Sequence, residues 1–306
     1  MPLSHPPYAA GTAAIHRPAP PCRSRSSCSP GARLRPPCAS TAVGMGAGAE
    51  TRAAAAVQAA PLHRSGLRAE SLPRHVAVVM DGNSRWARAL GLAAAEGHEE
   101  GRRALERTVR LSRAWGVRAL TAFAFSHENL ARPKAEVDYL MELFEGFIRD
   151  NADEYARDGI RLHVIGDASR QPSSLQSVTR ETEEATRHNS QLVVMLAICY
   201  SGRWDIARAC RELAEEAQGG LLRPEDIDED LLDGKLLTSL AGEFSSPDLL
   251  VRTSGEIRLS NFLLWQSAYS ELFFTETLWP DFGEEEYRRA LASYKSRDRR
   301  FGRRKF

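Results

Sequence analysis

Residues 75–86 read His-Val-Ala-Val-Val-Met-Asp-Gly-Asn-Ser-Arg-Trp and combine a strand pattern, a turn and the start of a helical pattern. The apolar run 76–80 predicts a buried strand, and a helical pattern follows it. Gly82 permits a tight turn between them, where backbone N–H groups can bind phosphate. Arg85 adds a cation that pairs well with phosphate, and Asp81, an acid in an otherwise phosphate-friendly loop, is expected to hold Mg²⁺. A strand-to-helix turn merely capped by Asp81 is the structural alternative.

The same alternation of short apolar runs and helical patterns continues along the chain. Further strands are predicted at 119–125, 162–165, 192–198, 249–251 and 271–274, and helices at 104–115, 137–148, 171–188, 203–218 and 284–300. Such alternation implies right-handed crossovers and a mainly parallel sheet. The sequence therefore predicts a single α/β domain over residues 61–306, with a central, mainly parallel sheet flanked by helices.

Ligands of such sheets bind beyond the carboxyl ends of the strands. The segments 126–132, 166–167, 200–205 and 252–261 follow predicted strands and are expected to meet the turn at 81–86 along one edge. Arg252 and Arg258 are expected to face a ligand there, the alternative being an ordinary surface loop. Together the segments supply arginines, small residues and a few carboxylates. This inventory is typical of a site for phosphoryl groups and a divalent metal.

Charge is distributed unevenly between the first 60 residues and the rest. The chain of 306 residues has 41 Lys and Arg against 40 Asp and Glu, but residues 1–60 hold six Arg, no Lys and one acid, Glu50. That segment also contains nine of the 16 prolines. Ala-, Ser-, Pro- and Arg-rich segments nearly free of acid are typical of organelle transit peptides. We expect residues 1–60 to be a disordered transit peptide directing the chain to the chloroplast stroma; an untargeted disordered tail is the alternative.

Several classes of protein are disfavoured by composition and missing motifs. The remaining 246 residues carry a small excess of acid, which argues against a nucleic-acid-binding domain. The longest apolar run, 192–200, is nine residues, and a membrane span needs about 20. The sequence contains no Gly-x4-Gly-Lys-Ser/Thr, His-Glu-x2-His or Gly-x-Ser-x-Gly pattern. It also lacks the Asp-Asp-x2-Asp pair of all-helical trans-prenyltransferases and terpene cyclases.

The ordered motifs resemble one known family. Residues 75–87 resemble the first signature of the cis-prenyltransferases, the undecaprenyl diphosphate synthase family. The family's middle motifs are similar to 125–129, 132–133, 166–167 and 202–205, and its C-terminal signature is similar to 249–266, Glu271 and 279–282. The match runs from about Pro73 to Gly302 without a large gap, so a chance match is negligible.

The resemblance implies a homodimeric, Mg²⁺-dependent enzyme that condenses isopentenyl diphosphate with an allylic diphosphate, forming a cis double bond and releasing diphosphate. It makes Asp81 and Asn129 the catalytic residues, and Asp81 and Glu271 the metal ligands. It assigns allylic diphosphate binding to Gly82, Asn83, Ser84, Arg85, His98 and Arg132, and isopentenyl diphosphate binding to Arg252, Arg258 and Ser260. The wider set of predicted substrate-binding residues adds Trp86, Ser126, Glu128, Leu130, Leu259, Arg300 and Gly302.

Two alternatives come from other functional classes. Some eukaryotic relatives are non-catalytic scaffold subunits, a role marked by loss of the first Asp signature, and here residues 81–85 are intact. The second is a nucleotide- or phosphoester-binding protein with an unrelated reaction. On its own, an acid such as Glu271 at the start of an apolar strand is equally explained as an edge charge.

Overall fold

The computed structural model describes residues 67–300 and is organised around a six-stranded parallel sheet. The strands are β1 (His75–Val79), β2 (Ala119–Ser126), β3 (Ile160–Ile165), β4 (Leu192–Tyr200), β5 (Leu249–Arg252) and β6 (Glu271–Phe274). Their spatial order is β3-β4-β2-β1-β5-β6, and every neighbouring pair is parallel. The fold class predicted from the sequence is confirmed.

Seven α-helices and several short 3-10 turns connect the strands in this part of the chain. The helices are α1 (Asn83–Ala89), α2 (Ala94–Trp115), α3 (Lys134–Arg157), α4 (Ser173–Thr186), α5 (Gly202–Gln218), α6 (Glu229–Lys235) and α7 (Glu284–Ser296). Local chemistry sets several ends. Pro133 precedes α3, the Ser201 hydroxyl caps α5 by accepting from the Trp204 N–H at 3.3 Å, and Gly116 ends α2 with φ 86°.

Alternate side chains of β1 enter two different cores. Val76 and Val78 pack into the larger cluster with α2, α3 and α7, whereas Ala77 and Val79 pack with Phe262 on the other face. All nine residues of β4 are buried, as expected for a parallel strand covered on both faces. The two-sided burial explains why the strands read as continuous apolar runs rather than as alternating patterns.

The predicted strands agree with the structure to within about two residues, but three helices differ in length. Helix α3 begins three residues before and ends nine residues beyond the predicted 137–148. Helix α2 begins at Ala94, ten residues before the predicted start at 104, and its first turns carry Gly97 and Gly101 instead of an apolar stripe. Helix α7 ends at Ser296 because Arg297 adopts an extended conformation (φ −81°, ψ 143°). The predicted transit peptide, residues 1–60, lies outside the described residues. Within residues 67–300, no helix combines the length and apolarity needed to cross a membrane.

Candidate active site at the carboxyl edge of the sheet

The loops that follow β1 and β5 lie side by side because these strands are neighbours, with Val79 opposite Arg252. Thr253 joins the two loops: its hydroxyl accepts from the Asp81 N–H at 3.0 Å and lies 2.7 Å from the Asp81 carbonyl oxygen. These hydrogen bonds hold together two loops whose residues are 172 positions apart in the sequence. The first signature and the C-terminal signature form a single wall.

The Asp81 carboxylate lies between two guanidinium groups. Its Oδ1 accepts from Arg85 Nη2 at 3.2 Å, and its Oδ2 accepts from Arg252 Nη2 at 3.1 Å. The Arg252 side chain is only 4% exposed, and its Nη1 donates to the Arg258 carbonyl and to Ser260 Oγ, both at 2.6 Å. Because the guanidinium is buried and held by these bonds, its orientation is fixed. Its plane of N–H donors can therefore be presented to an anion.

Gly82 and the segment before α7 fix the turn after β1. Gly82 has φ 112°, and a Cβ there would lie 2.9 Å from the Leu278 side chain and 3.2 Å from its Cα. The Trp279 N–H donates to the Asp81 carbonyl at 3.0 Å, and the Trp279 indole donates to the Gly101 carbonyl at 2.8 Å. One buried tryptophan therefore ties the Asp81 turn to α2.

Helix α2 packs unusually close to Asn83. A Cβ at Gly97 would lie 2.2 Å from the Asn83 carbonyl oxygen, and one at Gly101 would lie 2.5 Å from Asn83 Oδ1. The Asn83 amide approaches His98 Nδ1 at 3.5 Å. Burial, and then the nearby Arg132 charge, lower the pKa of His98, so the imidazole is neutral at physiological pH. Among the described residues, Asn83 Oδ1 and His98 Nε2 are buried without a hydrogen-bond partner, so the wall contains polar atoms available to a ligand.

The turn after β2 is held by a reciprocal pair of hydrogen bonds. The Ser126 N–H donates to Asn129 Oδ1 at 3.1 Å, and the Asn129 N–H donates to Ser126 Oγ at 3.2 Å. Arg132 follows this turn and pairs with Glu136 at 3.0 Å. Glu128 accepts a hydrogen bond of 2.9 Å from Asn261, a residue of the loop after β5. The β2 turn therefore contacts both the start of α3 and the loop after β5.

A cavity of about 710 Å³ opens between these loops. Its polar end contains Arg85, Arg132 and Arg252, and its apolar wall is formed by Leu105, Leu140, Phe144, Phe147 and Leu196. The predicted site residues that line it are Asp81, Gly82, Asn83, Ser84, Arg85, His98, Ser126, Glu128, Asn129, Arg132, Arg252 and Ser260. An amphipathic ligand with a charged head and an apolar tail matches this division.

The remaining predicted residues lie elsewhere. Those outside the cavity wall are Trp86, Leu130, Arg258, Leu259, Glu271 and Arg300, and Gly302 lies outside the described residues. Trp86 donates to Asp281 at 2.8 Å, Leu130 packs against the larger core, and Leu259 packs against the smaller one. Arg258 is exposed and pairs with Glu256, and Arg300 pairs with Asp298 at 3.0 Å.

Glu271 lies at the amino edge of the sheet, where the strands begin, whereas Asp81 lies at the carboxyl edge, where they end. Glu271 is the first residue of β6 and lies level with Leu249, which in turn lies level with Val76. Asp81 comes five residues after Val76, beyond the carboxyl end of β1. The Glu271 carboxylate lies 3.9 Å from the Arg297 guanidinium. Within one chain, Asp81 and Glu271 therefore do not share a metal site.

The site also contains residues that sequence reasoning did not single out. Asn261, Arg102 and Trp279 line the cavity. In the sequence, Asn261 is only one residue of a motif, and its contacts with Glu128 and Ser201 join it to residues that are distant in sequence. Trp279 belongs to the C-terminal signature at 279–282, but its contact with the Gly101 carbonyl is not visible in the sequence. Such residues are found only when the loops are seen together.

Comparison with known proteins decides the family. The family model described as putative undecaprenyl diphosphate synthase matches residues 79–302. This chain belongs to that family of cis-prenyltransferases. It is 53% identical over 233 residues, 76% of this chain and 74% of the relative, to a chloroplastic dehydrodolichyl diphosphate synthase of Solanum lycopersicum. It is also 46% identical to a ditrans,polycis-undecaprenyl-diphosphate synthase of Salmonella paratyphi A, over 76% of this chain and 93% of the relative.

A solved structure of a family member has the same fold. Lavandulyl diphosphate synthase from Lavandula x intermedia, crystallised with dimethylallyl diphosphate, is similar with a TM-score of 0.74 and 42% identity, covering 76% of this chain and 99% of that one. The family, the fold class and the prenyltransferase reaction predicted from the sequence are thereby confirmed. The prenyltransferase condenses isopentenyl diphosphate with an allylic diphosphate.

Proposed function

We propose that the two arginine-bearing loops divide the substrates of this prenyltransferase between them. The loop after β1, with His98 and Arg132, binds the allylic diphosphate, and the loop after β5, with Arg252, Arg258 and Ser260, binds isopentenyl diphosphate. The observation that supports this division is the position of Asp81, which contacts Arg85 of one loop and Arg252 of the other at the polar end of the cavity. The apolar wall takes the hydrocarbon chains.

The proposed chemistry follows from where charge develops. As the allylic C–O bond breaks, negative charge grows on the departing diphosphate and positive charge on the allylic carbon. Arg85, Arg132 and the amides of the β1 turn stabilise the departing anion. The isopentenyl double bond then attacks the allylic carbon, and the departed diphosphate accepts the proton that is lost as the new double bond forms. We assign the positioning of this reacting carbon skeleton to Asn129 and Ser126, whose reciprocal hydrogen bonds hold the β2 turn rigid.

The residues present fit Mg²⁺ as the partner of the allylic diphosphate. Among residues 67–300, no group of three or more metal-ligating side chains is found. Mg²⁺ is commonly bound by one or two carboxylates together with substrate phosphates, and the Asp81 carboxylate is 32% exposed in the cavity wall. Bound there, Mg²⁺ would neutralise charge on the leaving diphosphate. Arg85 and Arg252 then hold the phosphate oxygens on either side of Asp81.

The proposal includes a homodimer, because Glu271 can contribute to the metal site only from a second copy. β6 is one of the two edge strands of the sheet, and the segment 257–272 that leads into it carries exposed apolar side chains: Ile257 (77%), Tyr269 (80%) and Leu272 (37%). Exposed apolar surface next to an open strand edge is typical of an interface. Arg300 and Gly302, at the end of the chain, are proposed to reach the second copy's site.

We also propose that residues 1–60 deliver the chain to plastids. Their acid-poor composition and the chloroplastic names of several relatives support this. A reporter fused to residues 1–60 is expected to enter plastids, and a chain beginning near Leu62 is expected to stay active. A reporter that remains in the cytosol contradicts the targeting proposal and leaves the catalytic one intact.

Turnover with radiolabelled isopentenyl diphosphate tests the proposed function. With dimethylallyl, geranyl, farnesyl and geranylgeranyl diphosphates offered in turn, label is expected in a hydrophobic product with at least one primer, and only when Mg²⁺ is supplied. Absence of labelled product with every primer would instead indicate a scaffold subunit or an unrelated phosphoester-binding protein. The division between the loops is tested by the substitutions described below.

A further inference from the structure

Asn261 makes four hydrogen bonds to two other loops at the carboxyl edge. Its Nδ2 donates to Glu128 Oε1 at 2.9 Å and to Ser201 Oγ at 2.7 Å. Its Oδ1 accepts from the Arg203 N–H at 2.9 Å, and its carbonyl accepts from the Gly202 N–H at 2.7 Å. A single amide side chain therefore connects the loop after β5 with the β2 turn and with the start of α5.

The backbone at Asn261 is held in an uncommon conformation. Its φ is 62°, and the neighbouring Ser260 has φ 50°. Left-handed backbone costs free energy for residues other than glycine, although asparagine tolerates it better than most. Gly202 allows the close approach, because a Cβ there would lie 3.0 Å from the Asn261 carbonyl oxygen. The surrounding contacts therefore determine this conformation, which is a mark of a functional position.

Ser260 and Asn129 are next to the residues in these contacts, and they belong to different parts of the proposed reaction. Ser260, the residue before Asn261, accepts a hydrogen bond from the buried Arg252 guanidinium. Glu128 precedes Asn129 in the turn that holds the reacting carbon skeleton. Glu128 is ionised: burial raises the pKa of its carboxyl, but the hydrogen bonds from Asn261 and from the β2 turn outweigh burial and lower it. The contact therefore joins a charged acceptor to an amide donor, which is stronger than a neutral pair.

We propose that Asn261 is a positioning residue that fixes the distance between the isopentenyl diphosphate loop and the β2 turn. This inference rests on the proposed division of substrates. An amide suits the position because it donates to a carboxylate and accepts from a backbone N–H at the same time. A carboxylate at 261 keeps the acceptor, loses both donors and repels Glu128.

A double-mutant cycle between positions 261 and 128 tests the proposal. Asn261→Asp is expected to lower kcat/KM for isopentenyl diphosphate about 10- to 100-fold, the range expected for a lost hydrogen bond to a charged group. The KM for the allylic primer is expected to change less than about threefold, because the loop after β1 keeps its contacts and Arg132 stays paired with Glu136 of α3. Adding Glu128→Gln to Asn261→Asp is expected to recover several-fold of the loss, since the new amide donates to the new carboxylate.

A second variant and a matched control guard against misfolding. Asn261→Gly removes the side chain but suits φ 62°, so the variant is expected to fold and to show the same loss specific to isopentenyl diphosphate. In Asn189→Asp, the lost amide donates at 2.9 Å to the carbonyls of Tyr155 and Ile160, far from the cavity wall. That control is expected to lower the melting temperature without changing the ratio of the two KM values.

The outcomes separate this inference from the proposed function. If Glu128→Gln changes kcat/KM by the same factor with either residue at 261, or if Asn261→Gly turns over like the parent, the positioning role is overturned. Equal effects of Asn261→Asp on both substrates also overturn it. If the parent chain itself incorporates no isopentenyl diphosphate, the proposed function is what fails.

Discussion

The amino edge of the sheet, where the parallel strands begin, and the carboxyl edge, where they end, use polar side chains for different purposes. At the amino edge, Asp248 Oδ2 accepts from the Arg74 and His75 N–H groups at 2.7 and 2.9 Å, and His75 Nε2 lies 2.7 Å from the Thr121 hydroxyl. At the carboxyl edge, the Asp81 carboxylate accepts hydrogen bonds from Arg85 and Arg252 in the wall of a cavity. Substitutions at the first edge should change stability, and those at the second should change turnover.

The two edges also differ in backbone conformation. In the described part of the chain, the non-glycine residues with positive φ are Cys199, Ser254, Ser260, Asn261 and Leu263, all at or beyond the carboxyl ends of β4 and β5. Strained backbone persists only where surrounding contacts impose it. Contacts between loops therefore impose the backbone conformation at the carboxyl edge, whereas the amino edge is held by hydrogen bonds such as those from the Arg74 and His75 N–H groups to Asp248.

The largest effect is expected for Asp81. Asp81→Asn is expected to lower kcat at least 10²- to 10³-fold, because charge on the departing diphosphate loses its metal partner, a loss of about 3–4 kcal/mol in comparable oxyanion sites. The asparagine keeps one acceptor oxygen for the flanking arginines, so its melting temperature should stay close to the parent's. Single-turnover rates and thermal melts measure the two effects separately. A variant that turns over like the parent contradicts the metal-ligand role.

Arg252 is expected to show a smaller and more selective effect. Arg252→Ala should raise the KM for isopentenyl diphosphate about 10- to 150-fold, as a lost charge-assisted contact does, and should change the KM of the primer far less. Arg252→Lys keeps the positive charge but lacks the planar guanidinium group. Its KM for isopentenyl diphosphate should therefore lie between that of the parent and that of Arg252→Ala. Steady-state kinetics with each substrate varied in turn provides the test. Equal effects on both substrates reject the division of the loops.

Glu271 tests the contrast between the two edges. It lies at the amino edge, yet it is proposed to contribute to the metal site of a second copy. Glu271→Gln is expected to raise the Mg²⁺ concentration needed for half-maximal rate roughly 10-fold, a typical effect around metal sites. Co-expressing Glu271→Gln chains with Asp81→Asn chains is expected to restore turnover, since a mixed dimer then has one intact site. No recovery in the mixture means that Glu271 acts within its own chain or only as an edge charge.

The smallest effect on turnover is expected for His75, whose contribution is to stability. Burial lowers the pKa of His75 from 6.5 to about 4. The unfolded chain therefore takes up a proton below pH 6.5 that the folded chain does not, and stability falls by about 3 kcal/mol between pH 6.5 and 4. In His75→Gln, denaturant unfolding should show a shallower loss over this range, while kcat at pH 7.5 stays within about twofold of the parent. An unchanged slope contradicts burial as the cause.

Local chemistry made much of this protein readable in the sequence. The strands could be predicted because a parallel strand covered on both faces needs a continuous apolar run, as in residues 192–200. The turn after β1 could be predicted because the Asp-Gly pair at 81–82 combines a left-handed glycine with an acid where phosphate chemistry needs one. The family could be recognised because its motifs are short, ordered and mostly contiguous.

Tertiary structure alone decided which of these pieces meet. The apolar run at 271–274 predicts a strand, but the pairing of β6 with β5 places Glu271 at the amino edge. The Thr253–Asp81 and Asn261–Glu128 hydrogen bonds join residues 172 and 133 positions apart. The order of strands in the sheet and their register are set by packing of the whole core. No local pattern carries that information, because any apolar run can pair with any other until the rest of the chain is in place.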